Sequence, residues 1–196
     1  MNTKSLLFTI FNILFLIGSY GCSKEYDKSI LLLPNLPYPI AREPALVTVA
    51  GQGPEGLIVA KMCDQLKLDN SFSYKADSND VQDKACLIVA EGVSYAGLKA
   101  AFTNYNEDKN RIERVLKEAK RLNVPVIAVF PGGKDRRTKV DEELADLLLH
   151  YSNYMIALYE ADEDGYYSEL CRKYNCRLTL VHDMQEMPVP LNSVFR

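Results

Sequence analysis

Short apolar runs rich in β-branched residues alternate with amphipathic segments along this chain, and this alternation most constrains its fold. Each run is bounded by turn residues and predicts a buried strand; the predicted strands are 46–50, 71–75, 85–90, 124–130, 154–158 and 177–181. The segments between them predict helices at 54–66, 107–122, 138–150 and 166–174. Because repeated strand–helix units form parallel sheets with helices on both faces, we expect a three-layer, doubly wound, mostly parallel α/β sheet of five or six strands.

The link between the second and third predicted strands, 76–84, constrains the order of the strands. It has nine residues, fewer than the dozen or so that a helical crossover usually needs. A second strand at the sheet edge accommodates so short a link, which predicts the flavodoxin-like order 2-1-3-4-5.

The first 21 residues predict a signal peptide. Lys4 precedes the apolar run 6–17, which is too short to span a bilayer comfortably, and small residues stand at Ser19 and Gly21. The sequence Ser-Tyr-Gly-Cys ending at Cys22 also resembles a bacterial lipoprotein box. This resemblance implies lipidation of Cys22 and an outer-membrane lipoprotein of the bacterial cell envelope, facing the periplasm or the cell surface. Ordinary cleavage before Cys22 without a lipid is the alternative.

Residues 22–44 predict an extended tether between that anchor and one domain at 45–196. Proline fixes φ and removes a donor, and four prolines stand in the second half of this segment. Its apolar residues are too many to remain solvated, so we expect them to lie against the domain. The formal net charge of −3 gives no basic surface for nucleic acid.

Gly51, Gly53 and Gly56 match the G-x-G-x-x-G pattern of dinucleotide-binding turns. The usual second helix is missing, and Lys75 stands where an acidic residue would bind the ribose. We therefore interpret 51–56 as a strand-to-helix turn and expect no cofactor; nucleotide binding there is a less favoured alternative.

Three features resemble an uncharacterised family of exported bacterial α/β domains: Gly51-Gln52, the loop from Gly92 to Gly97, and the stretch VPVIAVFPGGKDRR from Val124. The resemblance implies a flavodoxin-like fold. It implies no activity, because none is established for the family.

A candidate site follows from the direction of the strands, since ligands of open parallel sheets bind beyond their carboxyl ends. The candidate ligand-binding residues in the loops there are Gly51, Gln52, Glu91, Gly92, Ser94, Gly132, Gly133, Lys134, Arg136 and Arg137. Free backbone N–H groups and guanidinium groups favour anions, so the last five predict a site for a small anion. The alternative is a solvated loop whose arginines pair with Asp135 and Asp141.

No metal site is predicted. The acidic run Glu160, Asp162 and Asp164 resembles half of a calcium loop, but Cys171 stands where the bidentate glutamate is required. His150 and His182 are far apart in the sequence. Cys63 with Cys86, and Cys171 with Cys176, are either disulfides or buried thiols.

The sequence leaves the function open between classes. We expect a binding module for a small anionic ligand or an envelope protein partner, rather than an enzyme. The alternative is an envelope hydrolase that uses Ser94 or Glu91. A partner-binding protein is expected to show an exposed apolar or tyrosine patch, and an enzyme a closed pocket with a perturbed carboxylate or thiol.

Overall fold

The computed structural model describes residues 36–196, so the predicted signal peptide and Cys22 lie outside the described residues. The described chain contains six strands: β1 Ala45–Ala50, β2 Asn70–Phe72, β3 Cys86–Glu91, β4 Val126–Phe130, β5 Tyr154–Leu158 and β6 Arg177–Val181. Its α-helices are α1 Glu55–Gln65, α2 Tyr95–Ala100, α3 Tyr105–Leu122, α4 Lys139–Tyr151, α5 Tyr166–Tyr174 and α6 Pro188–Asn192. Three short 3-10 turns occupy Ser78–Val81, Lys134–Arg136 and Tyr159–Asp162.

The six strands form one parallel sheet with the order β2-β1-β3-β4-β5-β6. The predicted α/β class and the flavodoxin-like order are confirmed, with β6 as the sixth strand. The short link before β3 contains one 3-10 turn in place of a crossover helix, which is why β2 stays at the edge.

Two apolar cores lie on opposite faces of the sheet. One packs α3, α4 and α5 against side chains such as Leu87 and Phe130. The other packs α1 and α6 against side chains such as Ile88 and Ile156. Burial on both faces explains why the central strands read as continuous apolar runs instead of alternating with polar residues.

The segment 36–44 lies against the domain. Leu36 and Ala41 are buried in the second core, and the backbone N–H groups of Ile40 and Ala41 both donate to the carbonyl of Val194 at 3.0 Å. The chain ends of the described structure are therefore held together. Within residues 36–196, no helix has the length and apolar character needed to cross a membrane.

Two helices were not predicted from the sequence. The loop after β3 contains α2, and α6 follows β6. The predicted strand 71–75 is also longer than the observed β2, which ends at Phe72 because the chain turns away from β1 there. The two helices have six and five residues and β2 has three, and periodicity carries little information over such short lengths.

Candidate functional site at the carboxyl edge of the sheet

The loops after β1 and β3 meet directly at the carboxyl edge. Gln52 and Val93 form an isolated antiparallel bridge, and the N–H of Ser94 donates to the carbonyl of Gly51 at 2.8 Å. Four of the candidate residues, Gly51, Gln52, Gly92 and Ser94, are thus brought together. This is the point where the strand order reverses, and ligand sites of doubly wound sheets form at such points.

A buried polar network fixes the turn after β1. Gly51 and Gln52 have φ values of 94° and 58°, so both lie in the left-handed region. The N–H of Gly51 donates to Asp108 Oδ2, and Gln52 Nε2 donates to Asp108 Oδ1 and to the carbonyl of Tyr74, each at 2.8 Å. The Gly51-Gln52 pair therefore connects the loops after β1, β2 and β3 to α3, and its role is structural.

Glu55 folds back over the same turn from the first position of α1. Its side chain is buried, and Arg136 donates to Oε1 from Nη2 at 2.6 Å and from Nε at 3.0 Å. Oε2 is buried without a hydrogen-bond partner, within 2.3 Å of where a Cβ on Gly92 would stand. A bound pyrophosphate at this helix end would have to displace a carboxylate.

Glu91 is completely buried on the other side of Gly92. The Tyr167 hydroxyl lies 3.4 Å from Oε1, and Oε2 has no partner. Burial raises the pKa of Glu91 well above its usual range, and the negative charge of Asp141 adds to this effect. The carboxyl group is therefore harder to ionise than an exposed glutamate, and it is closed to solvent.

Each cationic side chain of the loop after β4 is paired with carboxylates. Lys134 Nζ lies 2.8 Å from Glu163, and Arg136 binds Glu55 as described above. Arg137 donates to both carboxylate oxygens of Asp164 and to the carbonyl of Ala161. The cations of this loop are thus paired with carboxylates, as expected for a solvated loop and not for an anion site.

The partners in these ion pairs are not Asp135 and Asp141, which the sequence suggested. Asp141 instead accepts from the N–H of Val93 at 2.9 Å and from Thr138. Gly133 is covered by Glu160, whose Oε1 lies 1.9 Å from the position of a Cβ on that glycine. The Gly132-Gly133 turn therefore faces a carboxylate, which opposes the binding of an anion there.

Ser94 has a capping role. Its Oγ accepts from the N–H of Gly97 at 3.1 Å and begins α2. The helix lies flat on the turn after β1, because a Cβ on Gly97 would lie 2.0 Å from the carbonyl oxygen of Gln52. Leu98 is buried in the first core and holds the helix against it.

The outer face of α2 carries two aromatic rings in solvent. Tyr95 is 69% exposed and Phe102 is 93% exposed. Phe102 follows the helix with φ of 54°, and the N–H of Thr103 donates to the carbonyl of Leu98 at 3.0 Å. This is a left-handed helix cap, a position that glycine usually occupies.

Large exposed apolar side chains concentrate at this edge. Among the described residues, five of the eight such side chains lie in the loops after β1, β2, β3 and β5 or in the first turn of the helix that follows such a loop. We call this set the aromatic edge; its members are Leu57, Tyr74, Tyr95, Phe102 and Tyr159. Sequence reasoning missed all five. The sequence gives no signal that finds them, because no periodic pattern separates these side chains from core residues.

The remaining sequence predictions concern metals, histidines and cysteines. Residues 36–196 contain no group of three or more side chains placed to hold a metal ion. Asp162 accepts from the N–H and hydroxyl of Ser168, and Asp164 is paired with Arg137. All four described cysteines are buried thiols; burial raises the pKa of Cys63 to about 12.

Comparisons with known proteins identify a family but no activity. A family model described as "Domain of unknown function (DUF6305)" matches residues 42–195. No curated protein matches the chain. A solved structure of a mutant of the esterase AlinE4 is similar over 76% of this chain and 79% of that one, at 14% identity and a TM-score of 0.29.

Proposed function

Since the chain belongs to the DUF6305 family, whose function is unknown, we propose a function from its geometry: a binding module that docks a protein partner on the aromatic edge. The observation that carries this proposal is the concentration of exposed large apolar side chains at one edge of the sheet. Large exposed apolar side chains that share one edge of a domain mark a candidate interaction site. An envelope location, and hence an envelope partner, remains a prediction from the N-terminal residues.

The aromatic rings stand on a rigid support. Gly97 brings α2 into backbone contact with the turn after β1, and the Asp108 network holds that turn. Rigid aromatic anchors lose little conformational entropy on binding, which is why tyrosine and tryptophan dominate the energetically important positions of protein interfaces.

Phe102 strains the backbone, and its exposed ring contributes little to the stability of the fold. A side chain in the left-handed region costs about 1–2 kcal/mol, and a ring that is 93% exposed recovers little of this by burial. A residue that destabilises the free domain and presents a ring to solvent is suited to a role in binding.

A protein partner fits this surface better than a small ligand does. The cleft beside Phe102 has a volume of about 150 Å³ and is lined by Gln52, Thr103 and Asp108, among others. Sites for drug-sized ligands usually measure about 300–1,000 Å³. The small-anion hypothesis is weakened further because Lys134, Arg136 and Arg137 all have carboxylate partners.

The hydrolase alternative has little support in this geometry. The Ser94 hydroxyl caps α2, and Glu91 is buried without access to solvent. His150 lies at the end of α4, at the opposite edge of the sheet. A serine nucleophile needs a general base within hydrogen-bond reach, and no histidine stands beside Ser94 among the described residues.

Site-specific photocrosslinking in the cells that make the protein tests the proposal. A benzophenone amino acid replaces Phe102 or Tyr95 in one set of variants and Val189, also an exposed apolar residue but on α6, in the control. We expect a defined crosslinked product from positions 102 and 95 and none from 189. Its mass distinguishes a second copy of this chain from a different protein. Equal products from all three positions, or none, would contradict the proposal.

A further inference from the structure

A second feature of the molecule lies at the opposite, amino edge of the sheet. The C-terminal ends of α3, α4 and α5 converge there on the first residues of β4, β5 and β6. They border an open groove of about 650 Å³, within the range of about 300–1,000 Å³ that is usual for small-molecule sites. We call it the amide groove, after the three asparagines in its lining: Asn123, Asn153 and Asn175.

Much of the hydrogen-bonding capacity of these amides is unused. Asn123 and Asn175 end α3 and α5 in the left-handed conformation, and neither side chain makes a hydrogen bond within the described residues. Asn153 Oδ1 accepts from the N–H of Val126 at 2.9 Å, and its NH₂ group has no partner in the part of the chain that the structure describes. An amide offers two donors and an acceptor, so together they suit a ligand that both donates and accepts.

Aromatic rings lie beside the amides. The His150 ring contacts Tyr151 and Tyr174 edge to face, with centroids 4.9 Å and 5.2 Å apart. All three line the groove. Such rings provide an apolar surface against which the C–H groups of a ligand can pack, next to the amides that bind its polar groups.

The charged side chains in the lining of the groove are the cations Lys120 and Arg177. The nearby carboxylate of Asp146 accepts from the Tyr174 hydroxyl at 2.9 Å and is paired with Lys173. Lys120 Nζ lies 5.4 Å from the centre of the Tyr151 ring, and Arg177 Nη2 donates to the Tyr38 hydroxyl at 3.1 Å. A cationic ligand is therefore disfavoured, and an acidic one is favoured.

We propose that the amide groove binds an oligosaccharide that carries acidic sugars. Vicinal hydroxyl groups match the donors and acceptor of the asparagine amides, and the apolar edge of a sugar ring matches the His150–Tyr151 surface. Lys120 and Arg177 stand where a sugar carboxylate would be neutralised. The site is separate from the aromatic edge and does not depend on the function proposed for it.

A purely structural role for the asparagines makes a different prediction. Asparagine is tolerated in left-handed helix caps, and glycine is preferred there. The substitutions Asn123→Gly and Asn175→Gly therefore keep the backbone conformation and remove only the amides. A cap role predicts normal folding and unchanged sugar binding, whereas the proposed site predicts normal folding and lost binding.

The test is a titration of the purified full chain, labelled with ¹⁵N, with trigalacturonate as the acidic probe and maltotriose as the neutral one. We expect trigalacturonate to shift the side-chain NH₂ resonances of Asn123, Asn153 and Asn175 and to bind more tightly than maltotriose. In the Asn123→Gly/Asn175→Gly variant the dissociation constant should rise about tenfold or more. Phe102→Gly, at the opposite edge, serves as the matched control and should bind like the natural chain.

Three results would overturn the proposal. One is the absence of shifts in the groove amides with either trisaccharide at about 10 mM, a concentration that detects even millimolar affinity. Another is equal affinity of the natural chain and the double glycine variant. The third is a response confined to residues outside the groove.

Discussion

At the scale of single residues, Phe102 contributes to the exposed surface of the domain and not to its core. Its backbone conformation suits glycine, and its ring lies in solvent. Glu91 presents the opposite case, a polar group completely enclosed by the fold with one oxygen unpartnered. Both residues destabilise the free domain for reasons that a substitution can isolate.

Replacing Phe102 by glycine should stabilise the domain. The left-handed backbone costs a side-chain-bearing residue about 1–2 kcal/mol, and the greater freedom of glycine in the unfolded chain returns about 0.4–1 kcal/mol of this. We expect the free energy of unfolding to rise by roughly 0.5–1 kcal/mol in urea denaturation. Phe102→Ala keeps a Cβ and should show no such gain; an equal gain from alanine would mean that the ring, and not the backbone, is the source.

Replacing Glu91 by glutamine should change how stability depends on pH. Because burial raises the pKa of Glu91, the folded protein keeps a proton that the unfolded chain releases above about pH 4.3. The contribution of Glu91 to stability is therefore full at low pH and falls as pH rises.

Glutamine has no such proton, so Glu91→Gln should gain in unfolding free energy relative to the natural chain as the pH rises above about 4.3. Denaturation at several pH values measures this difference. Glu113→Gln, at an exposed carboxylate on α3, should leave the pH dependence of the natural chain in place. The difference in unfolding free energy between Glu91→Gln and the natural chain should change with pH. A constant difference would show that Glu91 is ionised in the folded protein.

The sequence predicts which candidate residues gather at the carboxyl edge, because parallel strands end together. It does not predict their partners. Arg136 binds Glu55, 81 positions away, and that contact depends on the register of several strands. The exposure of Phe102 is also invisible in sequence, since an isolated aromatic residue reads equally as core.

At the scale of elements, α3 connects the loops of the carboxyl edge. Arg111 on this helix pairs with Asp108 at 2.9 Å and donates to the carbonyls of Ala76 and Val49. One guanidinium group therefore links α3 to β1 and to the segment after β2. The edge position of β2, a strand of only three residues, depends on such side-chain links as well as on its pairing with β1.

Removing this guanidinium should be strongly destabilising. Arg111→Met leaves the Asp108 carboxylate buried without its cation, which typically costs about 3–5 kcal/mol. We expect a loss of about 3 kcal/mol in unfolding free energy by urea denaturation. Arg121→Met on the same helix, where Arg121 pairs with Glu118 at the surface, should leave the midpoint unchanged. Similar losses from both substitutions would indicate a general effect on α3 rather than the buried link.

The sequence predicts the strands and the helices of nine residues or more, and it misses the helices of five and six residues. Helix 166–174 and strands 154–158 and 177–181 are confirmed with the bounds expected, because their apolar residues repeat clearly. Helix α2 is held by one buried leucine and a close backbone approach, neither of which leaves a periodic pattern.

At the scale of the whole molecule, the segment before β1 belongs to the fold. The N–H of Leu36 donates to Ser193 Oγ at 3.0 Å, and Ile40 and Ala41 bind Val194. The residues just before Ala45 thus bury apolar surface as well as leading into the domain.

A chain that begins at Ala45 should therefore be less stable than one that begins at Leu36. Losing the buried Leu36 side chain alone removes about 1.5–3 kcal/mol of apolar burial. We expect a loss of about 2–3 kcal/mol, read from the urea midpoint of the two chains. Tyr38→Ala, at an exposed residue of the same segment, should have a much smaller effect. Equal midpoints for the two chains would show that this segment does not stabilise the domain.

The parallel sheet also gives the molecule an orientation. The chain reaches β1 from its amino end, where Ile40 lines the amide groove, whereas Phe102 lies beyond the carboxyl ends. A six-residue strand separates these two edges by roughly 20 Å. If the N-terminal residues anchor the chain as the sequence predicts, the groove would face the anchoring surface and Phe102 would lie on the far side of the domain. The common direction of the strands therefore sets which edge would lie nearer to such an anchor.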